Sequence, residues 1–281
     1  MSREASAGGS ASAEMTFWDH LHALRGVLWR GVAAVLVVSV GLFCVMPELF
    51  ERVILAPCRG DFPLYRLMDR LSALMGSASP AAAERWSMGL INTQLASQLF
   101  VHISASVQGA VVVCFPLLLW LVWGFVSPAL YAGERRYASV AFVAGCGLFY
   151  IGMAVGYWLV FPMTLRFLAG YQLSEAIVNT ITLDSYMDNF IGILFVMGLV
   201  FEIPLVAWVL GRVGMLSRSV FGRYRRHAVV ALVVAAAVIT PTSDPLTLAV
   251  VFVPLYLLWE VSALLVPKSK RVEELATESA E

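Results

Sequence analysis

The polar groups that could carry chemistry in this 281-residue chain are few, and they stand among apolar residues. Glu202 lies in the stretch GLVFEIPL, inside the apolar run from Phe190 to Leu210 and two residues before Pro204. A charge at bilayer depth costs roughly 3 kcal/mol on insertion scales, so its retention asks for a role. Three roles are open. A neutral carboxyl could donate to the Val200 carbonyl, which Pro204 frees because it has no N–H. It could hydrogen-bond a polar helix docking beside it, a contact worth about 1 kcal/mol that sets register more than affinity. It could relay protons, which needs further titratable groups that this stretch does not contain. Asp244, in TPTSDP, belongs to residue types that favour a turn or cap. Glu260, near the end of the last apolar run, can reach water by snorkelling. Glu134 stands beside Arg135 and Arg136 in the loop SPALYAGERRY.

Catalytic motifs are missing. There is no GxSxG, HExxH, Walker loop or Gly-rich dinucleotide fingerprint. His20, His22, His102 and His227 do not pair with carboxylates at ligand spacing, and His20 and His22, at i and i+2, point to different sides of a helix. Cys44, Cys114 and Cys146 lie in apolar runs, and Cys58 is alone in a loop, so no disulfide framework or metal set is readable. The expectation is a protein that is not an enzyme and holds no metal or cofactor. An ion-coupled secondary transporter using Glu202 and Asp244 is the alternative of another class. It expects an internal repeat with paired broken helices, whereas the two halves here differ in loop plan.

The elements that position these groups follow from composition. The chain is 14% charged and 60% hydrophobic, with mean hydropathy +0.81, against about a quarter charged in a soluble domain. A formal net charge of zero gives no bulk attraction to nucleic acid or anionic lipid. Six apolar stretches, roughly 27–46, 97–126, 138–161, 190–211, 227–239 and 246–266, predict membrane helices, because backbone groups in hydrocarbon must bond one another. The start of the second should project from the membrane. The fifth and sixth look short. Ala228 to Ile239 gives about 18 Å of helix against a core of about 30 Å, and the sixth meets Glu260 after Trp259. Such a pair thins the bilayer beside it or tucks against longer neighbours.

Of nineteen Lys and Arg, six (Arg52, Arg59, Arg66, Arg70, Arg85 and Arg166) fall in segments outside a membrane crossed from an inside N-terminus, leaving thirteen inside. Both termini are therefore expected in the cytoplasm. Residues 1–15 read as disordered and, lacking a signal-peptide pattern, as leading into a retained helix. Residues 16–266 form the membrane domain, with one large outer loop at about 47–96. Within that loop Asp61–Leu74 predicts an amphipathic helix and GSASPAAA a break. The tail 267–281 ends in acids.

In the order in which they occur, DHLHALR (19–25), GFVSPALYAGERR, LFYIGMAVGYWLVFP, FEIP (201–204) and TPTSDP resemble TatC, the multi-spanning core of the twin-arginine protein translocase. The resemblance runs from about residue 16 to 266. It implies six helices in a cupped, glove-like arrangement with the last two short, in the bacterial cytoplasmic membrane. It also implies binding of twin-arginine signal peptides of folded cargo at the cytoplasmic face, TatA- and TatB-like single-pass partners, self-association in the complex, and transport driven by the protonmotive force. Carried over residue by residue, Glu134 matches the loop acid that binds the arginines, with Phe125, Pro128, Leu130 and Tyr131 shaping the site and Arg25 closing the first motif.

The pattern is incomplete. A second family acid falls on Ala23, two polar family positions are Leu121 and Leu248, and the first outer loop is longer than usual. Asp19, four residues before Ala23, would share its helix face and so supply the missing acid, or else it caps the helix near Thr16. A TatC-like paralogue with impaired signal-peptide binding is the matching alternative. For Glu202, Asp244 and Glu260 the resemblance suggests contacts within the membrane or with partners.

Overall fold

The computed structural model describes residues 17–74, 88–126, 135–174, 179–212, 215–240 and 244–266. The expected disordered N-terminus, the GSASPAAA break and the acidic tail lie outside these residues. The chain opens with α1 (Phe17–Leu49), a π-helical turn (Phe50–Ile54) and a short 3-10 turn (Ala56–Cys58). The amphipathic helix expected in the outer loop is α2 (Pro63–Leu74), followed by β1 (Leu90–Ile91) and α3 (Ser97–Val126). Next come α4 (Arg135–Val155), a second π-helical turn (Gly156–Val160), α5 (Phe161–Gly170) and β2 (Ile181–Thr182). The remainder is α6 (Leu183–Val200), α7 (Ile203–Arg212), α8 (Arg218–Arg223), α9 (Arg225–Ile239) and α10 (Pro245–Leu265).

Among the described residues, five helical spans are long and apolar enough to cross a bilayer. The sixth traversal, α9, has 15 residues, about 22 Å of helix. The last two helices are not equally short, because α10 runs 21 residues and passes through Glu260. The apolar run in the sequence stops at Glu260, but the helix does not, since this carboxylate is neutralised by Arg225.

Helix α6 forms the centre of the core. Its Tyr186, Met187, Phe190, Ile193, Leu194 and Met197 are buried. It meets α4 along a seam of glycines, where backbones approach because no side chain intervenes. A Cβ on Gly152 would lie 2.6 Å from the Met197 carbonyl oxygen, and one on Gly198 would lie 2.7 Å from the Phe149 ring.

At one end of the bundle the chain leaving α1 exposes carbonyls that have lost their helical partners. Tyrosines from elsewhere take them up. Tyr157 donates to the Val53 oxygen at 2.9 Å and Tyr186 to that of Ile54. Tyr65 donates to Pro57 and Pro162 at 3.0 and 3.2 Å. The parallel pair β1–β2 (Leu90↔Ile181, Ile91↔Thr182) joins the loop segments at this end. At the opposite end, Trp123 of α3, Ala141 of α4 and Leu205 of α7 cluster, and Phe221 of α8 packs with Ala207 and Val266. The first described residues of α1 and the last of α10 belong to this second end, the termini end.

Candidate functional site

Glu202 occupies a break. Helix α6 stops at Val200 because Pro204 offers no N–H to continue the ladder. The chain turns at Phe201 and Glu202, whose N–H groups bond the carbonyls of Met197 (3.1 Å) and Leu199 (3.0 Å), and helix resumes with the Val206 N–H on the Glu202 carbonyl at 3.0 Å. The Glu202 side chain is 8% exposed, the one buried charged-type residue among those described. Neither carboxyl oxygen has a hydrogen-bond partner. The bond to the carbonyl freed by Pro204 is therefore not made, and the kink is held by backbone bonds instead.

The space for this carboxyl comes from Gly145 of α4. A Cβ there would lie 3.2 Å from Glu202 Oε2, 3.0 Å from Leu119 Cδ2 and 2.7 Å from Leu205 Cδ2. The walls are thus apolar. Trp123 and Trp208 stack beyond them with ring centroids 6.3 Å apart, and the Arg212 guanidinium lies 5.5 Å over Trp208. A buried polar group without a partner costs about 1–3 kcal/mol. The same group offers a strong hydrogen bond to any polar side chain that reaches it.

The two other acids of the apolar region find partners within the chain. Asp244 is the N-cap of α10, accepting from the Thr247 N–H at 2.8 Å and the Thr247 hydroxyl at 2.7 Å. Glu260 is held in bidentate fashion by Arg225, Nε to Oε1 at 2.9 Å and Nη2 to Oε2 at 2.6 Å. The first fastens the start of α10, and the second ties its end to the start of α9. Among the described residues no three His, Cys, Asp or Glu come together to hold a metal.

The residues matched to signal-peptide binding are placed only in part. Asp19 is the third described residue of α1, and it shares one unbroken helix with Ala23 and Arg25. Arg25 is exposed. Phe125 belongs to the last turn of α3. The side chains of Asp19 and Phe125, and all of Pro128, Leu130, Tyr131 and Glu134, lie outside the described residues. In the sequence Glu134 directly precedes α4. Leu121 lies on α3 near Gly31 of α1, and Leu248 packs on the main core. Sequence reasoning missed Gly145, the tyrosines on the α1 exit and the Arg225–Glu260 pair. The one available signal was that Gly145 and Gly152, seven apart, share a helix face.

Long apolar helices turned outward around a buried carboxyl define a polytopic α-helical membrane protein. Residues 19–254 match the model of the family described as Sec-independent protein translocase protein (TatC). The chain belongs to the TatC family, whose members are non-enzymatic membrane subunits of that translocase. It is 34% identical over 177 residues to the Sec-independent protein translocase protein TatC of Deinococcus radiodurans, covering 63% of this chain and 65% of that one. It is 30% identical over 246 residues to the TatC of Desulforapulum autotrophicum, covering 88% and 82%. A crystal structure of the twin arginine translocase receptor TatC superposes with a TM-score of 0.68 at 26% identity, covering 88% of this chain and 99% of that one. The all-α, six-helix TatC arrangement expected from the sequence is the fold of this chain.

Proposed function

We propose that this chain is the receptor and assembly core of a twin-arginine translocase in a bacterial cytoplasmic membrane. Its termini end faces the cytoplasm and binds the paired arginines of signal peptides on folded cargo. Arginine recognition wants carboxylates in bidentate geometry at a partly desolvated surface, and Glu134 with Asp19 supplies them, Asp19 replacing the acid missing at Ala23. Phe125, Pro128, Leu130, Tyr131 and Arg25 frame that site. The observation that carries the assembly role is the unpartnered carboxyl of Glu202. A polar group on a TatA- or TatB-like helix completes its hydrogen bonding. The short α9 thins the bilayer beside it, and transport draws on the protonmotive force. The chain self-associates in the working complex.

Complementation of a strain lacking its own TatC, read with a twin-arginine reporter, tests this. Asp19→Ala and Glu134→Ala should each block export. Normal export by Asp19→Ala while Glu134→Ala fails would remove Asp19 from the site. Failure of the unmodified chain to export despite normal membrane insertion would favour the paralogue reading, which the apolar residues at Ala23, Leu121 and Leu248 support.

A further inference from the structure

A net charge of zero conceals a local surplus. Between the ends of α7 and α10 the chain carries Arg218 and Arg223 on α8 and Arg225 and Arg226 at the start of α9. Only Arg225 is consumed, by Glu260. Arg218, Arg223 and Arg226 are exposed and form no ion pair or hydrogen bond among the described residues. Phe221, buried with Ala207 and Val266, seats α8 and leaves its arginines outward.

What lies above these arginines selects the partner. Arg226, Val230, Val234 and Val238 follow at intervals of four on α9, so they form one slowly turning ridge. The three valines are 65%, 58% and 76% exposed. Met215 and Tyr224 add exposed apolar surface beside the arginines. Cations at the foot of an exposed aliphatic ridge match a phosphate headgroup joined to an acyl chain. An acidic protein or a free phosphate would use the cations and leave the ridge bare.

We propose that Arg218, Arg223 and Arg226, with the valine ridge of α9, form a binding site for an anionic phospholipid. Guanidinium groups suit phosphate by their fork geometry. The site lies at the foot of the shortest traversal, so a lipid held there fixes the depth of the membrane surface where the helix is only 15 residues long.

The test uses the purified full chain in detergent, presented with equimolar palmitoyl-oleoyl phosphatidylglycerol and phosphatidylcholine, with retained lipid counted by native mass spectrometry. Each arginine near an anionic surface contributes about fivefold, so the wild-type chain should retain phosphatidylglycerol at least about tenfold in preference. R218Q/R223Q/R226Q should retain both lipids within about twofold of each other. V230S/V234S, with the arginines kept, should weaken retention of phosphatidylglycerol. Melting temperature in phosphatidylcholine should be unchanged in the arginine variant, because those exposed side chains form no ion pair or hydrogen bond among the described residues. Where the triple variant fails to insert, R226Q alone is read the same way. Equal retention of both lipids by the wild type, or an undiminished preference in the arginine variant, overturns the proposal. So does displacement of phosphatidylglycerol by millimolar inorganic phosphate, which would make this a phosphate site. An acidic protein partner lost in the arginine variant while lipid preference persists would overturn it as well.

Discussion

Replacing Gly152 by Ala adds one methyl group at the tightest point of the α4–α6 seam. The new Cβ would lie 2.6 Å from the Met197 carbonyl oxygen and 2.7 Å from Phe201 Cβ. Ordinary contact begins at about 3.4 Å, so the overlap with the carbonyl is 3.4 − 2.6 = 0.8 Å. The obstacle is backbone and the root of a side chain, so no rotamer change relieves it. The helices must part by most of that overlap, and a gap of 0.5–1 Å forfeits about a quarter to a half of each van der Waals contact it opens. Overpacking of this kind costs about 1–3 kcal/mol, which lowers the melting temperature by several degrees at about 2–4 °C per kcal/mol. Gly147, on the same helix, is the control, because a Cβ there meets nothing within 4 Å. Melting of Gly152→Ala and Gly147→Ala in the same detergent, by loss of tryptophan or helical signal, gives the comparison. Gly147→Ala should melt no lower than the parent. Equal melting of the two variants would refute the close-approach argument. Since the overlap also presses on Phe201, the residue before Glu202, Gly152→Ala should impair export of the reporter beyond what its lost stability explains.

Other outcomes follow from the same geometry. Glu202→Gln should keep export, because a neutral isostere still donates and accepts. Loss of export with normal folding would revive the proton-relay reading. Glu202→Leu should raise thermal stability, by about 1–3 kcal/mol, as it removes an unpartnered buried carboxyl, while export falls, and a stabilised variant that still exports would count against docking. Tyr65→Phe removes the hydroxyl donor of the buried Pro57 carbonyl and its contact with that of Pro162, at about 1–3 kcal/mol. It should also speed protease cleavage near α2, and unchanged cleavage would deny the tyrosine a clamping role. Glu260→Ala should leave the melting temperature nearly unchanged, since Arg225 is 58% and Glu260 29% exposed, and a clear loss of melting temperature would show that the pair is effectively dry.

Several of these features can be read in the chain and several cannot, for reasons that differ by residue. The bounds of α3 match its apolar run from residue 97 to 126, and the run stays helical through Pro116 because backbone groups in hydrocarbon must bond one another. The break after α6 follows from Pro204, whose missing N–H acts within four residues. Asp244 as a cap is a short-range property of the residues around it, and the structure bears out that local role. The end of α10 is misjudged when Glu260 is taken alone, since its partner Arg225 lies 35 residues earlier and meets it only because α9 and α10 pack as a pair. The start of α6 at Leu183 precedes the apolar run, because Thr182 caps it and Tyr186, a residue with a polar tip, is buried in the core.

The sequence by itself determined the class of protein, the number of traversals and the family. Length, apolarity and local turn chemistry act within a few residues of chain, and motif order needs no third dimension. Only the tertiary structure decided what each buried acid does. Asp244, Glu202 and Glu260 look alike in one dimension, but folding gives the first a cap, the last an arginine and the middle one a pocket opened by Gly145 with no partner in it. That difference arises from distances between separate helices, which no local pattern encodes.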